Sequence, residues 1–164
     1  MAAVIALAAS AVIFTAEPSF AVYSGWLEIF NRGSGKCVTA SGGSAVVQQY
    51  CDSLASQYWQ EIGSPGGIVQ FQNAATGLCL TAPYPVNGAP VGQVDCHQYP
   101  PPPGQLWLLT HVTQLSPSAE VAMFQVFSNS CLDLENGQTQ DGVPMQVWTC
   151  NPNTNNQKWD VYPA

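Results

Sequence analysis

Asp133 and Trp148 are the two residues of this chain whose chemistry best suits holding a small polar molecule. A carboxylate accepts hydrogen bonds roughly twice as strong as those of a neutral acceptor, and a short Asp presents it more rigidly than a Glu. An indole offers a flat apolar face. A pyranose needs both, because one of its faces is made of C–H groups and its rim of hydroxyls. Each residue also has a plainer reading, Trp148 as core on a strand and Asp133 as a turn acceptor.

Catalytic arrangements fare worse. Asp133 and Glu135 invite comparison with the carboxylate pair of a glycoside hydrolase, but on a strand they share a face with no second wall opposite. Asp95-Cys96-His97 places neighbours on opposite faces of a strand. With His97 and His111 as the only histidines and no Gly-x-Ser-x-Gly, no Ser-His-Asp set is credible. The same two histidines, without a Cys-x-x-Cys cluster, make a poor zinc site. Neither a phosphate loop nor a cofactor motif is present. The expectation is a binding protein with no cofactor, no metal and no enzymatic activity.

The elements that must position Asp133 and Trp148 are visible as a repeat. Gln57-Tyr58-Trp59, Gln105-Leu106-Trp107 and Gln157-Lys158-Trp159 recur at intervals of 48 and 52 residues. Two cysteines precede each copy: Cys37 and Cys51, Cys79 and Cys96, Cys131 and Cys150, with none left over. An apolar run leads to the first cysteine of each unit, from Phe30 to Cys37, Phe71 to Cys79 and, shorter, Phe127 to Cys131. Units of this size bury their apolar faces only when copies close around a shared core. Only 8% of residues are charged, Gly and Pro are frequent, and Val and aromatics are scattered throughout, which is the profile of short strands and many turns. No helical periodicity follows residue 22. The chain is therefore expected to be all-β, with one domain. Since the same local bridge should recur in each unit, the favoured pairing is Cys37 to Cys51, Cys79 to Cys96 and Cys131 to Cys150. Each bridge closes a loop for which the chain-entropy model gives roughly 3 kcal/mol. Residues two apart on a strand share a face, so each Gln is expected to point inward beside its Trp and to satisfy turn backbone groups.

This constellation resembles the ricin B-chain lectin family, a β-trefoil whose three units each end in Gln-x-Trp. The likeness spans roughly residues 24 to 163. It implies core roles for Gln57, Trp59, Gln105, Trp107 and Trp159, and a sugar site in the third unit. There Asp133 would accept hydrogen bonds from two neighbouring hydroxyls, Asn156 would bond one of them from the other side, and Trp148 would be the stacking platform. Gln146 and Gln157 would hold these polar groups in position or reach the sugar themselves. The family geometry favours galactose and N-acetylgalactosamine, whose axial 4-hydroxyl lies near the 3-hydroxyl and leaves the C–H face free. The first two units read as eroded: Thr39 and Thr81 stand for Asp133, Val47 and Gly92 for Gln146, Gln49 and Val94 for Trp148, and Ser56 and Gly104 for Asn156. Tyr99 to Pro103 reads as a stiff spur before Gln105, a loop stiffener or a partner contact. The expected domain is 22–164, with units of about 22–66, 67–119 and 120–164. Two other readings stay open. Similar trefoils attach exported hydrolases to polysaccharides such as xylan, and other trefoils block proteases with exposed loops. With no catalytic domain beside it, a stand-alone lectin or a fragment is expected.

Ala2 to Phe14 is an apolar run of signal-peptide length, and Ser19-Phe20-Ala21 is a small-x-small cleavage pattern. Cleavage after Ala21 leaves 143 residues. The run departs from the usual signal in having no Lys or Arg before it, and it is too short and Ala-rich to read as a membrane span. Export places the cysteines where bridges form. The formal charge is −7, or −6 once Glu17 leaves with the leader, and Arg32, Lys36 and Lys158 are the only fixed cations. Phosphate backbones and anionic membranes are repelled by such a surface. The expected partners are glycans of glycoproteins, glycolipids or polysaccharides, met outside the cell.

Overall fold

A computed structural model describes residues 25–63, 68–96, 100–116, 119–127 and 129–164. The expected leader, His97 and Tyr99 lie outside the described residues. Among the described residues thirteen strands form: β1 (Trp26–Asn31), β2 (Cys37–Ser41), β3 (Ala45–Gln49), β4 (Tyr58–Gly63), β5 (Ile68–Asn73), β6 (Leu78–Thr81), the two-residue β7 (Ala89–Pro90), β8 (Gly92–Asp95), β9 (Trp107–Ser116), β10 (Ala119–Val126), β11 (Ser130–Leu134), β12 (Met145–Thr149) and β13 (Trp159–Pro163).

Six of them close a ring of antiparallel pairs, β1 to β4, β5, β9, β10 and β13 and back to β1. Closure leaves that ring without a free edge. The remaining long strands form one hairpin per unit: β2 with β3, β6 with β8, and β11 with β12. This is a β-trefoil, with four main strands in each unit. The three bridges join Cys37 to Cys51, Cys79 to Cys96 and Cys131 to Cys150, so each stays within its unit.

The repeated tryptophans fill the centre. Trp59, Trp107 and Trp159 are fully buried, and each indole N–H donates to the carbonyl of the residue after its unit's first cysteine: Val38 (2.9 Å), Leu80 (3.0 Å) and Leu132 (3.2 Å). Phe124 packs its ring against Phe71 (5.0 Å between centroids) and edge-on to Trp159 (6.5 Å). Truncating one of these tryptophans to Ala should cost about 3–5 kcal/mol.

The glutamines differ in one respect from the expectation. Gln57, Gln105 and Gln157 each end a short 3-10 turn rather than sit on a strand. They are buried all the same, because their amides replace partners that the turn's neighbours lack. Gln57 Nε2 donates to Tyr50 O (2.7 Å) and Thr39 Oγ1 (3.3 Å) while its Oε1 accepts from Asp52 N (2.9 Å). Gln105 repeats the pattern with Asp95 O (3.1 Å) and Thr81 Oγ1 (3.2 Å).

Neighbouring units interlock through buried amides. Gln48 Nε2 donates to Gln138 O (2.8 Å) and Gln140 O (2.6 Å) in the third unit's hairpin loop, and Gln93 Nε2 donates to Gly43 O (3.1 Å) in the first. Asn73 donates to Ser56 O (2.9 Å) and Tyr58 O (3.2 Å), pinning the first unit's 3-10 turn. Asn31 does the same for the third, reaching Asn155 O (3.4 Å) and Asn156 O (3.1 Å). Among the described residues no helix is long and apolar enough to cross a membrane.

Candidate binding site

The third unit's hairpin brings Asp133 and Gln146 directly opposite each other, and Cys131 opposite Trp148. Asp133 and Trp148 then diverge in environment. The carboxylate is 5% exposed and the indole 44%, so Trp148 is not a core residue. Together with Asn136, Gln146, Asn151, Thr154, Asn156 and Gln157 they line a pocket of about 220 Å³.

Asp133 is held by two amides. Gln146 Nε2 donates to Oδ1 at 2.8 Å and Gln157 Nε2 to Oδ2 at 3.0 Å. Each oxygen keeps lone-pair capacity for a further donor. Burial pushes the Asp133 carboxyl above the ordinary carboxylate range, and the two amide donors pull it part of the way back. Gln157 also donates to Thr149 O (3.1 Å) and accepts from Asn151 N (2.7 Å), so both its N–H groups are occupied. It is a holder of Asp133. Gln146 makes one such bond and keeps an N–H and its carbonyl oxygen.

Asn156 reaches the pocket from the 3-10 turn Asn155–Gln157. That turn alone among the three before the Gln-x-Trp tryptophans has a side-chain cap, Thr154 Oγ1 accepting from Asn156 N at 3.3 Å. Opposite it Gly137 has φ +61°, and a Cβ there would stand 2.5 Å from Asn156 Oδ1. All five residues singled out in the sequence therefore meet in one pocket. Asn136, Asn151 and Thr154 were not singled out. The Asn136-Gly137 pair, with φ values of 53° and 61°, is a sequence signal for a turn, which marks a loop but not what that loop lines.

The equivalent places in the other units follow from strand register. Thr39 faces Val47 and Thr81 faces Gly92, as Asp133 faces Gln146; Cys37 faces Gln49 and Cys79 faces Val94, as Cys131 faces Trp148. Thr39 and Thr81 accept the Gln-x-Trp amide as Asp133 does, but each hydroxyl also donates to a local carbonyl, of Cys37 (3.1 Å) and Cys79 (2.8 Å). They keep the structural bond and lack the charge. Glu135 is carried by a 3-10 turn, off the strand that holds Asp133.

A carboxylate presented beside a half-exposed indole in a neutral polar pocket fits the family to which the repeat points, and the chain matches the model of the ricin-type β-trefoil lectin domain over residues 25–159. The chain belongs to this family. It therefore belongs among carbohydrate-binding domains, and its fold agrees with solved structures. A designed threefold-symmetric protein, ThreeFoil, superposes with a TM-score of 0.72 at 22% identity, covering 86% of this chain and all of that one. The Macrolepiota procera ricin B-like lectin, solved in complex with lactose, gives 0.71 at 23% identity, covering 88% of this chain and all of that one. Serine protease 1 of Rarobacter faecitabidus is 30% identical over 133 residues, 81% of this chain. The match spans only 22% of that relative's length.

Proposed function

We propose that this protein is an exported lectin whose third unit binds a terminal galactose or N-acetylgalactosamine residue. The observation that carries the reading is the Asp133 carboxylate, held at both oxygens by Gln146 and Gln157 in the pocket that the exposed Trp148 ring lines. Two vicinal hydroxyls would donate to Asp133, Asn156 would bond one of them, and the C–H face would rest on Trp148. The lactose complex of the Macrolepiota lectin supports a galactose-type sugar. Export is inferred from the apolar run at Ala2 to Phe14, the Ser19-Phe20-Ala21 pattern and three bridges. A single shallow pocket gives an affinity of about −4 to −6 kcal/mol, in the millimolar to high micromolar range.

The test is retention on immobilised galactose and a glycan array, with Asp133→Ala and Trp148→Ala beside the wild type. Each substitution should abolish retention, whereas Thr39→Ala and Thr81→Ala should leave it unchanged. Wild-type binding by Asp133→Ala would move the site elsewhere. A second reading is favoured by the protease relative: the domain serves as a polysaccharide-anchoring module of a larger exported protein. Binding to xylan with none to galactosides would select it.

A further inference from the structure

The second unit lacks the site's carboxylate, its indole and the amide of Asn156, yet its loop between β6 and β8 is tied to the strand that bears Trp148. Asn87 Oδ1 accepts from Thr149 N at 2.7 Å and from Thr149 Oγ1 at 3.1 Å. Gly88 N donates to Val147 O at 2.9 Å, and β7 pairs Ala89 with Val147 and Pro90 with Gln146. Gly88 has φ +82°, and a Cβ built on it would lie 3.8 Å from Trp148 Cζ3 and 3.9 Å from Gln146 Oε1. Two side chains of the pocket thus rest beside backbone from another unit. The corresponding tie recurs on the first unit, where Gly142 N donates to Gln48 O at 2.8 Å and Val47 bridges Pro144, but no indole lies beside it. There Asp141 Oδ1 accepts from Tyr50 N (2.9 Å), and Gln49 stands in the place of Trp148.

We propose that Asn87 and Gly88 are positioning residues of the third unit's sugar site, bracing the end of β12 so that the Trp148 ring is presented at a fixed tilt. This rests on the reading of Trp148 as the sugar platform. Stacking contacts fall off steeply with a gap of even half an ångström or so, and a ring fixed before binding loses less freedom when the sugar arrives. The second unit has then lost a site of its own while supplying the brace for its neighbour's.

Two readouts on the whole chain test this. The first is free of ligand: the Trp148 indole N–H cross-peak, assigned by its loss in Trp148→Ala, should shift or broaden in Asn87→Ala and keep its place in Asn87→Asp, whose carboxylate accepts the same two bonds. The second is calorimetric titration with methyl β-galactoside, in which Asn87→Ala should bind about fivefold more weakly and Asn87→Asp like the wild type. An unmoved cross-peak with wild-type affinity in Asn87→Ala overturns the brace and leaves the platform standing. Equal weakness of Asn87→Asp and Asn87→Ala also overturns it, since the acceptor would not be what matters. If Trp148→Ala binds like the wild type, the platform falls and the brace with it. Should Asn87→Ala fail to fold, Thr149→Val, which drops only the hydroxyl bond, takes its place. An intermediate loss of affinity is then expected, and none would overturn the proposal.

Discussion

Asp133 meets any ligand with an amide N–H already on each oxygen, and burial favours its protonated form. The sign of the pH dependence follows. The ionised carboxylate accepts from sugar hydroxyls, so affinity should fall as pH drops through the carboxyl's raised value, earlier than an ordinary Asp at roughly pH 4 would give. Titrations of galactoside between neutral pH and that range would show it, and a flat profile would exclude Asp133 as the acceptor. The stability contribution has the opposite sense: a raised value favours folding at low pH, and that advantage is lost as pH rises through it. Asp133→Thr installs the residue that the first two units carry at this place. It should keep stability within about 1 kcal/mol, since Thr still accepts from Gln157, while retention on galactose disappears. The carboxylate and the indole, each ordinary on its own, were legible in the sequence because they occur together in the third unit, at offsets from its cysteines where the first two units carry neither. Asn151, Thr154 and Asn136 were not, because several Asn and Thr residues crowd that stretch and only the folded chain shows which of them face inward.

The turns, more than the strands, decide whether the site is formed. Asn156 has room only because residue 137 lacks a side chain, at a φ of +61°. Gly137→Ala should therefore weaken galactoside binding by displacing the Asn156 amide, and should destabilise the fold by about 1 kcal/mol or more from left-handed strain. Calorimetry and a melting curve measure the two effects separately. Gln48→Leu removes the caps on Gln138 O and Gln140 O, at a cost of about 1–3 kcal/mol in denaturant unfolding. An unchanged midpoint would mean water satisfies those carbonyls. The repeat, counted from its cysteines, marked the positions equivalent to Asp133, Gln146 and Trp148, which the hairpin register bears out, but no strand bounds. Strand alternation misplaced the glutamines of the Gln-x-Trp motif onto strands because it says nothing about where a strand starts. Gln48, Gln93, Asn31 and Asn73 escaped notice because an amide that satisfies a distant backbone carbonyl leaves no mark in its own surroundings.

At the scale of the whole molecule, threefold spacing of cysteines and tryptophans was enough to fix the architecture, since only closure buries Trp59, Trp107 and Trp159 together. Peptide mapping without reduction should return three bridged pairs, each within one unit. What spacing did not convey is that each unit's hairpin loop leans on the next unit, the second unit's on the strand that carries Trp148. Closure has one more consequence. β1 and β13 lie side by side with Leu27 opposite Pro163, and Ala164 N donates to Trp26 O at 2.8 Å. From Gly25 to Ala164 the described polypeptide returns to its point of departure, so the order of its strands is a ring opened at one place. Joining Ala164 to Gly25 and reopening the chain between the first and second units preserves every strand pair among the described residues, and such a permuted protein should fold. By the same geometry, two cargoes fused directly before Gly25 and after Ala164 would emerge from one spot on the barrel wall and sit shoulder to shoulder.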